Sequence, residues 1–156
     1  MYGSRCRIAK RFASSPEHHV ATLLFQHTNM ASPSQEQIQL IRQRLLIGMV
    51  DYMTNFDEDP PEYEWDCSYS QDDIDNCIAC IDGYLAKVTT TSGLTAQQIE
   101  AAVQKLVVEL NALNNKCGGS LIETDQREYI CEIILIAAKD AGLTTDEDIT
   151  EPWRQW

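Results

Sequence analysis

Four segments of the chain share one pattern: a helix-start motif followed by apolar residues at helical spacing. This pattern constrains the fold more than any other feature. In a capping box, the N-cap residue and the residue three positions later exchange hydrogen bonds between side chain and backbone. Four pairs have this spacing: Ser34 with Gln37, Ser70 with Asp73, Thr95 with Gln98, and Asp125 with Glu128. Apolar residues then recur every three or four positions, as in amphipathic helices.

The spacing predicts four helices, over about residues 35–55, 71–88, 96–114 and 126–141. Pro60 and Pro61 should stop the first helix, and Gly142 should supply a left-handed residue after the fourth. Because no alternating run of strand length is present, we predict an all-α fold, a four-helix bundle-like single domain. Trp153 and Trp156 are expected to pack back over one end of the bundle.

The first thirty residues differ from the rest in charge. They carry Arg5, Arg7, Lys10 and Arg11 against Glu17 alone, so they are net +3 in a chain of net −12, which leaves −15 for the remainder. They lack helical periodicity and end at a second methionine. We therefore predict two parts, a basic leader over 1–31 and an acidic helical domain over 32–156. The leader is expected to be disordered or to precede the native start, and an organelle transit peptide is the alternative.

The overall charge and the cysteine content limit the possible partners and the compartment. A chain of net −12 disfavours nucleic-acid binding through a basic patch, and no apolar run approaches 18 residues, so no membrane partner is predicted. Six cysteines without a secretory signal favour a reducing, cytoplasmic location. The oligomeric state is left open.

The cysteines are the candidates for metal or redox chemistry. Cys77 and Cys80 form a C-x-x-C pair, and Cys67, Cys117 or Cys131 could complete a thiolate set for zinc. The pair lies inside a predicted helix after three aspartates, which is unfavourable for a reactive thiol, and Cys77 and Cys131 fall on apolar stripes. We therefore predict core cysteines, no metal and no cofactor. Since residues 32–156 lack histidine, no catalytic residue is assigned and no enzyme is expected.

The first connection combines acidic and aromatic residues. From Leu45 to Ala86 there is no Lys or Arg. Rigid aromatic side chains anchor many protein interfaces, and surrounding charges steer the encounter. The predicted partner-binding residues are Asp57, Glu58, Asp59, Glu62, Tyr63, Glu64, Trp65, Asp66 and Tyr69. The alternative is that the aromatic side chains fold back over the bundle.

These features favour a small interaction protein with a basic protein partner. In size, charge and helix number the domain is similar to the small acidic helical immunity proteins, a resemblance that implies an inhibitor of a basic toxin. One alternative is a metal-binding or enzymatic bundle that uses the cysteines or carboxylates. Another is a subunit of a larger helical assembly, in which Ile133, Leu135 and Ile136 would form the contact.

Overall fold

The computed structural model describes residues 32–54 and 68–156, and these residues form four helices without a strand. They are α1 (Pro33–Thr54), α2 (Gln71–Thr90), α3 (Ala96–Lys116) and α4 (Thr124–Asp140). The predicted all-α, four-helix fold is confirmed. No helix in the described ranges combines the length and the apolarity needed to cross a bilayer. The predictions for residues 1–31 lie outside the described part of the chain.

Two of the predicted helix starts are confirmed. At α2 the backbone N–H of Ser70 donates to Asp73 Oδ2 (3.0 Å), and at α3 the backbone N–H of Thr95 donates to Gln98 Oε1 (2.9 Å). Each bond satisfies a backbone donor that would otherwise lie unpaired before the first turn. The left-handed residue after α4 is also confirmed, since Gly142 has a φ of 105°.

The other two predicted starts are wrong by two residues. The box at α1 is Ser32 with Gln35, through Ser32 N–H to Gln35 Oε1 (3.0 Å) and Gln35 N–H to Ser32 Oγ (3.2 Å). Pro33 therefore occupies the first helical position, where its missing N–H costs nothing. At α4 the N-cap is Glu123, and its backbone N–H donates to Gln126 Oε1 (3.2 Å).

The helices bury a main apolar core, and Ile99, Ala138 and Leu143 form a smaller second cluster. Fully buried side chains come from every helix and include Leu45, Met49, Ile74, Ile81, Leu106, Leu110, Ile130, Ile133 and Ile134. Ile133 is therefore a core residue, and Ile136 is partly buried against the same core. Of the residues predicted for an assembly contact, Ile133 is therefore inaccessible, whereas Leu135 and Ile136 are half-buried.

Consecutive helices run in opposite directions. Arg42 of α1 forms a two-bond ion pair with Asp82 of α2 (2.7 and 2.6 Å), and Lys116 at the end of α3 pairs with Asp73 at the start of α2 (2.7 Å). The start of α1 and the end of α4 line one surface depression, in which Gln35 lies near Asp140. The end of α1, the start of α2, the end of α3 and the start of α4 therefore meet at one end of the bundle.

The C-terminal tail closes the side of the bundle formed by α3. Asn111 of α3 donates through Nδ2 to the carbonyl of Trp153 (2.8 Å) and accepts from the backbone N–H of Gln155 (3.1 Å). Trp153 and Trp156 both pack against the core, as predicted. Cys131, predicted to be a core residue, is half-buried instead, and its Sγ accepts a hydrogen bond from Arg154 of this tail (3.1 Å).

Candidate functional site

One end of the bundle collects carboxylates from three helices, and we call it the acidic end. Its members are Asp51 of α1, Asp72, Asp73 and Asp75 of α2, and Glu123, Asp125 and Glu128 at α4. Lys116 and Arg127 are the nearby bases, and Lys116 is paired with Asp73. The segment 55–67, which contains six further carboxylates, is attached to this end through Thr54 and Ser68.

Asp73 is the carboxylate of this end that the fold itself uses. It is buried and accepts hydrogen bonds from Lys116 Nζ (2.7 Å), from the backbone N–H of Ser70 (3.0 Å) and from Ser70 Oγ (2.8 Å). The bond from Lys116, followed by those from Ser70, lowers the pKa of Asp73 to about 2. Asp73 therefore stays ionised and ties the start of α2 to the end of α3.

A groove of about 550 Å³ runs between α1 and α4 at the acidic end, and we call it the α1–α4 groove. Its lining residues are Arg44, Ile47, Gly48, Asp51, Tyr52, Asp125, Gln126 and Tyr129. Ile47 is 50% exposed, a large value for an isoleucine, and Tyr52 and Tyr129 are half-buried. The groove thus combines apolar and aromatic walls with charged residues at its ends.

The charged residues of the α1–α4 groove have no partner within the described part of the chain. Asp51, Asp125 and Arg44 make no ion pair with any described residue. Asp51 lies in the last turn of α1, where the helix dipole disfavours a negative charge. A carboxylate that opposes its own helix and has no compensating base contributes nothing evident to folding, which makes it a candidate for function.

Gln126 lies at the floor of the groove, and of the two polar atoms of its side-chain amide only the oxygen has a hydrogen-bond partner in the described residues. It is 8% exposed, and its Oε1 accepts the backbone N–H of Glu123. That bond fixes the orientation of the amide, because only the oxygen can accept a hydrogen bond. Its Nε2 donates to no acceptor in the described residues, and it lies 3.7 Å from the position that a Cβ on Gly48 would occupy. An amide donor therefore lies at the groove floor beside the bare backbone of Gly48.

Of the predicted partner-binding residues, the structure describes only Tyr69. Its ring is 5% exposed and stacks on Tyr52, with centroids 6.0 Å apart, and its hydroxyl donates to the carbonyl of Met49 (3.0 Å). Tyr69 therefore belongs to the core, in agreement with the alternative that aromatic side chains fold back over the bundle. Asp57, Glu58, Asp59, Glu62, Tyr63, Glu64, Trp65 and Asp66 lie outside the described residues.

Comparison with known proteins adds no family to this description. No family model, curated protein or solved structure matches the chain. The case for a functional site therefore depends on the geometry and chemistry of the residues themselves.

The cysteines do not form a metal site within residues 32–54 and 68–156, where no three metal-ligating side chains are grouped. Cys77 is fully buried, as predicted, and burial raises the pKa of its thiol to about 12. Cys80 is half-buried, and burial also raises the pKa of its thiol. Both thiols are therefore protonated near neutral pH. Cys67, the third metal candidate, is outside the described residues.

A second groove, of about 580 Å³, lies between α2 and α3, and we call it the α2–α3 groove. Gly83, Ala79 and Ala102 are among the small residues that line it, together with the half-buried thiol of Cys80. Three charged residues line it: Lys105 and Glu109 form an ion pair with each other (3.6 Å), and Lys87 makes no ion pair with a described residue. This groove is similar in volume to the α1–α4 groove but offers weaker chemical grounds for a ligand.

Asp51, Asp125 and Gln126 are the site residues that sequence reasoning missed. In the sequence, Asp125 belongs to a predicted helix start, and Asp51 and Gln126 belong to no recognised motif. The information that brings them together is the number of helices, because in an up-and-down bundle the first and third connections lie at the same end. Applying that rule to the four predicted helices would have placed the start of α4 beside the acidic first connection.

Proposed function

We propose that this protein is a small interaction protein that binds a basic protein partner through its acidic end. The observation that carries the proposal is the convergence of seven carboxylates from α1, α2 and α4, opposed by two nearby bases. The six carboxylates of the attached segment 55–67 add to the same charge. The more specific form of the proposal is an inhibitor of the immunity-protein kind, which blocks a basic toxin.

The distribution of charge favours a protein partner of opposite sign. Carboxylates that lie together on one side of a molecule create a one-signed field that raises the rate of encounter with a cationic surface. Exposed charges act over about 8 Å at physiological salt, so carboxylates within one helix end act jointly. The groove beside them supplies the apolar and aromatic contact area that charge alone does not provide.

The experiment is affinity capture with the full-length chain from the native host, followed by association kinetics with the captured protein. The charge-reversal variants are Asp125→Lys at the acidic end and Glu58→Lys in the attached segment. Glu100→Lys, an exposed carboxylate near the start of α3 at the opposite end, is the matched control. All three change the net charge by the same amount.

We expect a basic partner whose association rate falls steeply as salt rises. Asp125→Lys and Glu58→Lys should each slow association several-fold, whereas Glu100→Lys should change it by less than twofold. Equal losses for all three variants would show that net charge alone matters and would reject the acidic end as the binding surface. Capture of acidic partners only would reject the proposal itself.

A further inference from the structure

The side-chain amide of Gln126 indicates what chemical group a ligand in the α1–α4 groove should present, because its Nε2 has no partner among the described residues and is accessible to solvent. Water can satisfy this donor in the free protein, and an acceptor on a ligand would take the place of that water. Oε1 accepts the hydrogen bond from the backbone N–H of Glu123, so Nε2 is the atom that remains available to donate. Its partner on a ligand would be an oxygen acceptor, such as a peptide carbonyl. The absence of a side chain at Gly48 lets a backbone approach closely.

The charges at the groove ends indicate how such a ligand would lie. α1 and α4 run antiparallel, so Asp51 near the end of α1 and Asp125 at the start of α4 belong to the same end of the groove. Arg44 lies seven residues before Asp51, about 10 Å along the helix axis. A cation is therefore favoured at the end with Asp51 and Asp125 and disfavoured at the end with Arg44.

We propose that the α1–α4 groove is a peptide subsite that takes one arginine or lysine side chain of a protein partner. The cationic group lies between Asp51 and Asp125, its aliphatic stem lies on Ile47 and Tyr129, and an adjacent main-chain carbonyl accepts a hydrogen bond from Gln126 Nε2. This assignment rests on the proposed function, because it supplies the part of the acidic end that recognises the residue type of the partner.

The test uses the full-length, ¹⁵N-labelled chain and a defined probe, the capped tripeptide acetyl-Ala-Arg-Ala-amide. The same tripeptide with citrulline in place of arginine keeps the shape and the carbonyls but removes the charge. Gly48→Ala adds one methyl group to the groove floor, in ordinary contact with Gln126 Nε2 at 3.7 Å. Gly83→Ala makes the same change on α2, where the added Cβ meets nothing within 4 Å, and serves as the matched control.

We expect the arginine peptide to shift the side-chain amide signals of Gln126 and the backbone amide of Gly48 in a saturable manner. The citrulline peptide should bind at least fivefold more weakly, and Gly48→Ala should weaken arginine-peptide binding at least fivefold, whereas Gly83→Ala should leave it unchanged. Shifts confined to Asp72 and Asp75, equal binding by the two glycine variants, or no shift at all would each overturn the assignment.

The outcomes separate this subsite from the broader proposal. Binding of the tripeptide at Gln126, without a basic partner in affinity capture, would leave the subsite standing and reject the proposed function. A basic partner that is sensitive to Asp125→Lys but binds Gly48→Ala as tightly as the unmodified chain would support the proposed function and reject the subsite.

Discussion

Asp73 and Asp125 each lie in the first turn of a helix at the same end of the bundle, yet their surroundings are opposite. Asp73 is buried and accepts hydrogen bonds from Lys116 and Ser70. Asp125 is exposed, lines the α1–α4 groove and has no ion-pair partner in the described residues. The fold satisfies Asp73 with hydrogen bonds, whereas at Asp125 it supplies only the favourable dipole at the start of α4, so the Asp125 carboxylate remains open to a ligand.

The two grooves can be compared in the same way, because their volumes are nearly equal. In the α2–α3 groove Lys105 and Glu109 pair with each other and Lys87 adds an unpaired base, whereas in the α1–α4 groove Asp51 and Asp125 lie at one end without a base between them. Cavity size therefore does not distinguish the candidate site. The sign of the unpaired charges does, because of the two grooves only the α1–α4 groove presents two unpaired carboxylates to a cationic ligand.

The largest predicted effect is on stability, at Asp73. Asp73→Asn removes the negative charge that accepts hydrogen bonds from Lys116 and from the backbone N–H of Ser70 at the start of α2. Hydrogen bonds to charged groups are each worth about 1.5–3 kcal/mol. We expect the free energy of unfolding, measured by urea denaturation, to fall by about 2 kcal/mol. Binding of the arginine tripeptide to the folded protein should change by less than twofold.

Asp75→Asn is the control for this substitution. Asp75 is exposed, two residues further along α2, and its side chain accepts a hydrogen bond from Gln71 (2.8 Å). Its effect on stability should stay within about 0.5 kcal/mol. If Asp73→Asn weakened the tripeptide as strongly as substitutions in the groove, the division between structural and binding carboxylates would be wrong.

Lowering the pH should test the same structural role of Asp73. The pKa of Asp73 is lowered from its ordinary 3.8 to about 2, so the folded state favours the ionised form. The resulting stabilisation is complete above the unfolded-state pKa and is lost as pH falls through the interval from about 4 to about 2. Urea denaturation between pH 5 and pH 2 should show the gap between the unmodified chain and Asp73→Asn closing as pH falls. A gap that stayed constant would contradict the role of the Asp73 carboxylate.

The sequence predicted features that depend on neighbours along the chain. Ser70 with Asp73 and Thr95 with Gln98 were found because a capping box is complete within four residues. The apolar stripes located most core residues of the four helices for the same reason, since helical periodicity is local, although Ile133 is a core residue that was assigned to an assembly contact. At α1 the predicted pair, Ser34 with Gln37, is wrong, because the box forms from Ser32 with Gln35 and places Pro33 at the first helical position.

The candidate site depends on residues far apart in the chain and was therefore not predicted. Gly48 and Gln126 are 78 positions apart, and neither belongs to a recognisable motif. Gln126 has no assigned role in the sequence, where the pair Asp125 with Glu128 is predicted instead, and the position of α1 beside it places its Nε2 at a groove. The sequence places the predicted acidic surface on the first connection, whose carboxylates at 57–66 lie outside the described part of the chain.

The next effect in size concerns binding through the groove carboxylates. Replacing both Asp51 and Asp125 by Asn removes two exposed charges, each worth up to about 1 kcal/mol to a cationic ligand. We expect the dissociation constant of the arginine tripeptide, followed by ¹⁵N chemical shifts, to rise about tenfold. The free energy of unfolding should change by less than about 1 kcal/mol, with Asp51→Asn favourable because the helix dipole opposes the charge at that position.

The control for the double variant of Asp51 and Asp125 is Lys105→Gln combined with Glu109→Gln in the α2–α3 groove. It removes a pair of charges that already satisfy each other, so tripeptide binding should be unchanged. A similar loss of affinity in both double variants would show that the tripeptide responds to the general field of the molecule and not to the α1–α4 groove.

The smallest effect is the stabilisation expected from the two glycine substitutions. Measuring it shows whether Gly48→Ala loses tripeptide binding because its folding is damaged. Alanine is better than glycine inside a helix by about 0.5–1 kcal/mol, and both Gly48 and Gly83 lie in helix interiors. The added Cβ meets no heavy atom closer than 3.7 Å at Gly48 and none within 4 Å at Gly83. Urea denaturation should therefore show a similar gain for both variants. Since Gly48→Ala alone should weaken the tripeptide, its loss of binding could not be attributed to damaged folding. A destabilised Gly48→Ala variant would instead show that the groove floor is too tightly packed to admit a peptide backbone.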